Sequence, residues 1–352
     1  MKLCQLTENL LPGDAISDEV LSIDRLLRAW GMETELFCAH VCRPTPGITP
    51  RDPAELAALL RPEDVLLCQY SIGSPLTALF RAVNCRRAVV YQNITPARFL
   101  RAYAPHLADR ALRGRTELRE LIGELDFALA SSSYSAAELK RLGMERVDVL
   151  PVLYDPAPLR GKPDAALLGK LRDGKKNILF VGRKAPNKCI EDVMLAADYY
   201  AAAYGTDCRL ILAGDTGLQR YCERLLALRK RLKVEIVWLG RVSQAELNAC
   251  YAAADLFLCL SEHEGFCVPL LESMLTGVPI LAFASTAVPE TLGSGGVLTE
   301  DKHFETLAPL MHSLLTDETE RQRVIKEGYH RAAELSPERV GETLRQLITK
   351  YI

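Results

Sequence analysis

The chain has 352 residues, a formal net charge of −2, 49% hydrophobic residues and 25% charged residues. That balance belongs to an ordinary globular protein and excludes disordered, collagen-like and low-complexity chains. Near neutrality excludes a polycation built to bind nucleic acid. At roughly 150 residues per domain, the length predicts two domains.

No uncharged apolar run reaches the about eighteen residues that a membrane span needs, and Met1-Lys2-Leu3-Cys4-Gln5-Leu6-Thr7 is too short and polar to read as a secretory leader. The eleven cysteines are odd in number and scattered. Cys4, Cys38, Cys68, Cys208 and Cys259 lie in apolar runs, where a thiol acts as a small hydrophobe. A reducing cytoplasm is expected rather than a disulfide framework. Cys38-Ala39-His40-Val41-Cys42 has metal-like spacing, but no second pair completes a four-ligand set, so it reads as a strand end with two thiols.

In chain order, the first half offers strands at Leu3–Thr7, Thr34–Cys38, Val65–Gln69, Ala88–Tyr91, Phe127–Ser131 and Val147–Leu150, with helices such as Ala15–Trp30 and Glu117–Glu124 between them. Pro151–Lys176 holds the densest proline and glycine punctuation and marks a boundary. The second half offers strands at Ile178–Val181, Leu210–Ala213, Glu235–Leu239, Leu256–Leu260 and Pro279–Ala282, separated by helices such as Ile190–Tyr204 and Ala245–Ala253. Helices at Phe304–Thr316, Glu318–Glu334 and Pro337–Tyr351 end the chain. Near-continuous apolar strands alternating with helices indicate parallel sheets covered on both faces. The pattern occurs twice, so two doubly wound α/β domains are expected, with ligands at the carboxyl ends of the strands.

Four segments carry chemistry. In the first, the strand Leu256–Leu260 runs into Ser261-Glu262-His263-Glu264-Gly265-Phe266-Cys267-Val268. A helix should start near Pro269 and stop at Gly277. Its first N–H groups suit a phosphate, and Glu264 and Glu272 are carboxylates able to accept from vicinal sugar hydroxyls. In the second, Ile178–Val181 ends in Gly182, followed by Arg183 and Lys188, a bidentate guanidinium and a point charge for phosphate. In the third, Gly13 lies in Leu10–Ser17 and permits close backbone approach at a helix start. In the fourth, Tyr91-Gln92-Asn93-Ile94-Thr95-Pro96 ends a strand in two amides and a proline.

Together these segments resemble a retaining GT-B glycosyltransferase of family 4. Glu264-x7-Glu272 is similar to its paired-glutamate motif, Gly182-Arg183-x4-Lys188 to its diphosphate clamp, and Leu210–Gly214 with Trp238–Val242 to its nucleotide-side strands. Pro12–Ile16, Ser71–Leu76 and Gln92–Pro96 resemble a bacterial subgroup of O-antigen and lipid-linked-oligosaccharide mannosyltransferases. The resemblance covers nearly the whole chain. It implies two Rossmann-like domains facing across a cleft: an acceptor-side domain at residues 1–155, a nucleotide-sugar domain at 156–335, and a helix at 336–352 crossing back to the first.

The resemblance also implies roles. Glu272 would hold the ribose, and Arg183 and Lys188 the diphosphate. Glu264 and the backbone of Phe266, Cys267 and Val268 would meet the donor sugar. Arg241 and Val242 would meet the base, and Gly13 would give access to the phosphates. Where the family usually has histidine, this chain has Gln92, an amide that orients a hydroxyl and cannot relay a proton.

The implied reaction moves a hexose from a nucleotide sugar to a glycan or polyprenyl-diphosphate-linked acceptor. GDP-mannose is the first expectation for the donor and a UDP-sugar the second. The chain contains no Asp-x-Asp for a metal, so cations and a helix dipole would stabilise the leaving diphosphate, and no cofactor is expected. Alternative readings are a catalytically silent nucleotide-sugar-binding subunit of a glycan assembly complex, which Gln92 would suit, and a GT-B sugar-nucleotide epimerase. Between Arg81 and Arg119, nine arginines face two acids, Asp109 and Glu117. Arg110, Arg113 and Arg119 among them would give a basic face for docking on an anionic inner-membrane surface.

Overall fold

The computed structural model describes residues 1–44 and 47–352. The chain divides into two compact units. The first comprises Met1–Arg101, Pro105–Asp155 and Ser336–Ile352, and the second Ala102–Ala104 and Pro156–Leu335.

In the first unit, strands β1 (Leu3–Leu10), β2 (Leu36–Val41), β3 (Val65–Tyr70), β4 (Arg86–Tyr91), β5 (Phe127–Ala130) and β6 (Val147–Val149) form one sheet in the order β2-β1-β3-β4-β5-β6. Every pairing is parallel. The helix Ala15–Ala29 turns Val20, Ile23 and Leu27 into the core, and Asp14 caps its N-terminus by accepting from the Ser17 N–H. The helix Pro337–Tyr351 belongs to this unit's core. Val340, Leu344 and Leu347 pack with Leu3, Ile23 and Val90, and the Tyr351 ring stacks on Phe127 with centroids 4.5 Å apart. Lys350 pairs with Asp148 at 2.7 Å and the Tyr351 hydroxyl donates to the same carboxylate.

In the second unit, β7 (Lys176–Val181), β8 (Cys208–Ala213), β9 (Glu235–Trp238), β10 (Leu256–Cys259), β11 (Ile280–Phe283) and β12 (Val297–Thr299) form a second parallel sheet in the order β12-β11-β10-β7-β8-β9. Its core gathers Ile178, Leu210 and Leu258 from the sheet with Val193, Ala197, Met311 and Leu314 from the helices Ile190–Tyr204 and Phe304–Thr316.

Two doubly wound sheets agree with the expectation from alternating apolar strands and helices. Two elements differ from it. The three-residue edge strand β12 was not expected, because Val297–Thr299 is too short to show a period. The helix expected at Glu117–Glu124 begins at Pro105 and runs to Leu121, followed by a 3-10 turn at Ile122–Glu124. Its first half is rich in arginine and alanine, so its buried residues Ala108, Ala111 and Gly114 leave no strong apolar stripe. No helix among the described residues is long and apolar enough to cross a membrane. All eleven cysteines are free thiols.

Candidate functional site

In the second unit, the chain runs from β7 out through β8 and β9, then returns to place β10 on the other side of β7. That reversal creates a crevice at the carboxyl ends of β7 and β10, the position where open α/β sheets bind ligands. Two segments far apart in sequence meet there. After β7, Gly182 turns the chain with φ 153°, and Pro186–Lys188 forms a 3-10 turn. After β10, the Ser261–Cys267 loop leads into the helix Val268–Leu275. The segments are tied by the Glu262 N–H donating to Asn187 O at 2.9 Å and by Asn187 Nδ2 donating to His263 O at 2.9 Å.

The tie brings Lys188 to Glu264. Lys188 Nζ lies 2.6 Å from each carboxylate oxygen, across 76 residues of sequence. The Glu264 side chain is 6% exposed and that of Lys188 21%. Burial works to lower the Lys188 pKa, but the Glu264 carboxylate outweighs it and holds the ammonium above its ordinary range. The Glu264 N–H donates to Thr286 Oγ1 at 2.8 Å, which fixes the loop. Arg183 is exposed at the end of β7, and among the described residues its guanidinium has no ion-pair partner. It is therefore free to take an anion.

The helix after the loop begins at Val268, with Pro269 in its first turn and Cys267 at the N-cap with φ 80°. It ends at Leu275, and Gly277 follows with φ 70°, a left-handed residue where glycine is at ease. Glu272, one turn in, is 8% exposed and accepts from the Tyr251 hydroxyl at 2.7 Å. Phe266 and Cys267 are buried and Val268 half-buried, while Thr291 Oγ1 donates to Phe266 O at 2.6 Å. Arg241 is exposed and Val242 half-buried on the loop after β9.

Sequence reasoning missed Lys184. It is 1% exposed, although it stands next to the exposed Arg183. Its Nζ donates to Gly214 O at 2.7 Å and Leu239 O at 3.0 Å, 5.0 Å from the centre of the Trp238 ring. It bolts together the strand ends that follow β7, β8 and β9. Burial lowers its pKa to about 8, against the weaker raising effect of Cys222 and Asp215 nearby. The same junction relies on Gly214, whose φ is 121° and whose added Cβ would collide with Gly182 O.

In the first unit, Gln92 follows β4 directly. Its Nε2 donates to Glu19 Oε2, and to Gln69 Oε1 at 3.1 Å. Glu19 is 1% exposed and also accepts from the Leu153 N–H at 3.4 Å. Burial raises its carboxyl to about 7, against the lowering effect of these two donors. The group beside Gln92 therefore does carry a titratable proton, and sequence reasoning missed it. The signal was present: Glu19 sits three residues after Ile16 and four before Ile23, on the apolar stripe of its helix. Gln69 Nε2 is buried without a hydrogen-bond partner. Gly13 has φ 85°, and its N–H donates to Asp18 Oδ1 at 3.0 Å.

Among the described residues, four non-glycine residues have positive φ: Asn93, Cys189, Cys267 and Thr286. Asn93, Cys189 and Cys267 lie in or beside the segments singled out above, and Thr286 accepts from the Glu264 N–H of one of them, consistent with strain collecting at functional turns. The arginines from Arg81 to Arg119 separate into two sets. Arg81 pairs with Glu120 and Glu124, Arg87 with Glu124, Arg86 with Asp126, Arg110 with Glu8 and Arg115 with Glu138. Arg98, Arg101, Arg113 and Arg119 are exposed. Arg110 therefore leaves the expected basic face, because its acid partner lies outside the counted stretch. Cys38, His40 and Cys42 are not gathered into a ligand set among the described residues.

Residues 169–331 match the family Glycosyl transferases group 1. The chain is 26% identical over 237 residues to an O-antigen chain mannosyltransferase B of Escherichia coli, covering 66% of this chain and 62% of that protein. It is 31% identical over 193 residues to a GDP-mannose-dependent alpha-mannosyltransferase of Mycolicibacterium smegmatis, covering 53% and 46%. The match thus spans under two thirds of the length of these curated relatives. Among solved structures, Anabaena HepE in complex with UDP and glucose superposes with a TM-score of 0.73 at 17% identity, covering 99% of this chain and 100% of that one. That likeness shows the fold, GT-B, built of two Rossmann-like domains.

Proposed function

We propose that the chain is a glycosyltransferase that moves a hexose from a nucleotide sugar to a glycan or lipid-linked glycan acceptor. The observation that carries this reading is the Lys188–Glu264 pair beside Arg183 at the β7/β10 crevice, inside a Glycosyl transferases group 1 domain. Cleaving a sugar–diphosphate bond leaves charge on the departing phosphate, and fixed cations at that point lower the barrier. Arg183 and Lys188 supply them, so no metal is needed for the chemistry. Glu272, steadied by Tyr251, takes the ribose hydroxyls. Glu264 and the backbone from Phe266 to Val268 hold the sugar, and Arg241 and Val242 border the base. Gly13 offers a turn without a side chain to the phosphates, and Gln92 orients a hydroxyl.

Retention of configuration, with front-face attack guided by the departing phosphate, is what the family resemblance implies for the transfer. GDP-mannose is the first donor to test, since two relatives carry mannosyltransferase names. A UDP-sugar is the second, since a neighbour of the same fold holds UDP. The acceptor is met in the cytoplasm, and Arg98, Arg101, Arg113 and Arg119 favour an anionic inner-membrane surface.

Thermal shifts with GDP, UDP, ADP and their sugars, with and without EDTA, test the donor site, because stabilisation follows occupancy. A shift with GDP that EDTA leaves unchanged is expected, followed by sugar transfer to a lipid-linked acceptor. No shift with any nucleotide overturns the reading. Sedimentation with anionic liposomes at low salt tests docking, and a chain that stays in the supernatant removes it.

A further inference from the structure

Two thiols that the transfer reaction does not use flank Glu264, a carboxylate that it does use. Cys259 is the last residue of β10 and Cys267 caps the following helix. Their sulfurs and a Glu264 carboxylate oxygen all lie within 4.8 Å of one another. Cys259 is 2% exposed, Glu264 5% and Cys267 8%. Nothing in the proposed transfer requires a thiol at either position. The position of Cys267 is also costly for a non-glycine residue, since its φ is 80°.

We propose that Cys259, Glu264 and Cys267 form a binding site for one thiophilic divalent cation of the zinc class. Three arguments support it. The donor set is two sulfurs and one carboxylate, which suits a borderline-soft ion and not magnesium or calcium, which take oxygen. The span is nearly correct. Ligands about 2.3 Å from a tetrahedral ion stand roughly 3.5–3.8 Å apart, so a contraction of about 1 Å closes the set. The charges also balance. Two thiolates and a carboxylate carry three negative charges, matched by the divalent ion and the adjacent Lys188 ammonium. Glu264 keeps lone pairs for both, because a carboxylate has about four acceptor positions. Coordination releases the two thiol protons to solvent. The fourth coordination position is left to water.

This site shares Glu264 and Lys188 with the donor crevice, so an occupied site should exclude the nucleotide sugar. That consequence, unlike the binding itself, rests on the transferase reading.

The test is a titration of the reduced full-length chain with Cd2+, followed by the ultraviolet charge transfer of cadmium–thiolate bonds. A saturable signal at one ion per chain is expected. Cys259→Ala and Cys267→Gly should each remove about half of it, and the double variant all of it. Glu264→Gln should weaken Cd2+ binding roughly tenfold or more, and Cys42→Ser should leave it unchanged, because that thiol is exposed elsewhere. No saturable signal, or a full signal in the double variant, overturns the site.

Should the double variant fail to fold, alkylation of the unaltered chain replaces it. Zn2+ should protect the peptides bearing Cys259 and Cys267, and equal labelling with and without Zn2+ overturns the site. Nucleotide binding without any added cation reads the transferase proposal separately. If Cd2+ binds at one site while nucleotide affinity ignores Zn2+, the competition is overturned.

Discussion

Lys184 and Lys188 stand four residues apart on one loop, and both ammonium groups are withdrawn from water, yet their surroundings pull in opposite directions. Lys188 meets a carboxylate and is held above its ordinary pKa. Lys184 meets two carbonyls and an indole ring and falls to about 8. The difference lies in what replaces water. Carbonyl dipoles satisfy the hydrogen bonds of an ammonium without repaying its lost solvation, whereas a carboxylate repays both. Glu19 in the first unit is the mirror case, a carboxyl met only by an amide and an N–H, raised to about 7. A fixed charge ready for a ligand is therefore found at Lys188, and groups that change protonation near neutrality at Lys184 and Glu19.

The strongest challenge to this contrast is Lys188→Ala. It removes the cation from the leaving group and strands Glu264, so sugar transfer should fall by about 10²–10³-fold. A drop under about threefold in the initial rate would remove Lys188 from the reaction.

The next concerns Lys184. Its folded pKa of about 8 lies below the ordinary 10.5. Between those values the unfolded chain holds a proton that the folded chain has lost, so stability rises with pH. Relative to Lys184→Met, the unfolding free energy should grow by up to about 3 kcal/mol across that window in urea titrations. A flat difference would show that the carbonyls repay solvation after all.

Glu19 should show the opposite slope. Its folded pKa of about 7 exceeds the ordinary 4.5, so its contribution is complete below 4.5 and is lost as pH rises through 7. Glu19→Gln should abolish that decline, again up to about 3 kcal/mol. A decline of the same size in the variant would place its cause elsewhere. The smallest effect is expected from Tyr251→Phe, which takes one hydrogen bond from Glu272. Nucleotide affinity should fall by about tenfold, the size of one bond to a charged group. An unchanged affinity would detach Glu272 from the nucleotide.

The sequence made the two halves of this site readable separately. The apolar run of β7 ending in Gly182, and the strand–loop–helix bounded by Pro269 and Gly277, are local patterns and the structure contains both. Their meeting was not legible from residue pattern alone, because Lys188 and Glu264 are 76 residues apart and only the sheet order joins them. Lys184 gave no signal, since a lysine between Arg183 and Ala185 has the same appearance whether it is solvated or buried. Glu19 did give one, through its place on an apolar stripe, although the acids Asp14 and Asp18 precede it. The arginine count misled for a related reason: charge totals over a stretch ignore acids that fold onto it from elsewhere, as Glu8 and Glu138 do.

The helix Pro337–Tyr351 has a consequence for biosynthesis. Its apolar face completes the core of the unit to which residues 1–101 and 105–155 contribute. A ribosome makes that unit's sheet first and its last core helix only after the 180 residues of Pro156–Leu335 have emerged. The amino-terminal lobe must wait, with Leu3, Ile23 and Phe127 incompletely covered, while the later lobe can already close. In this chain, order of birth and order of maturation are reversed, and a nascent chain stalled before Ser336 would be the species most in need of a chaperone.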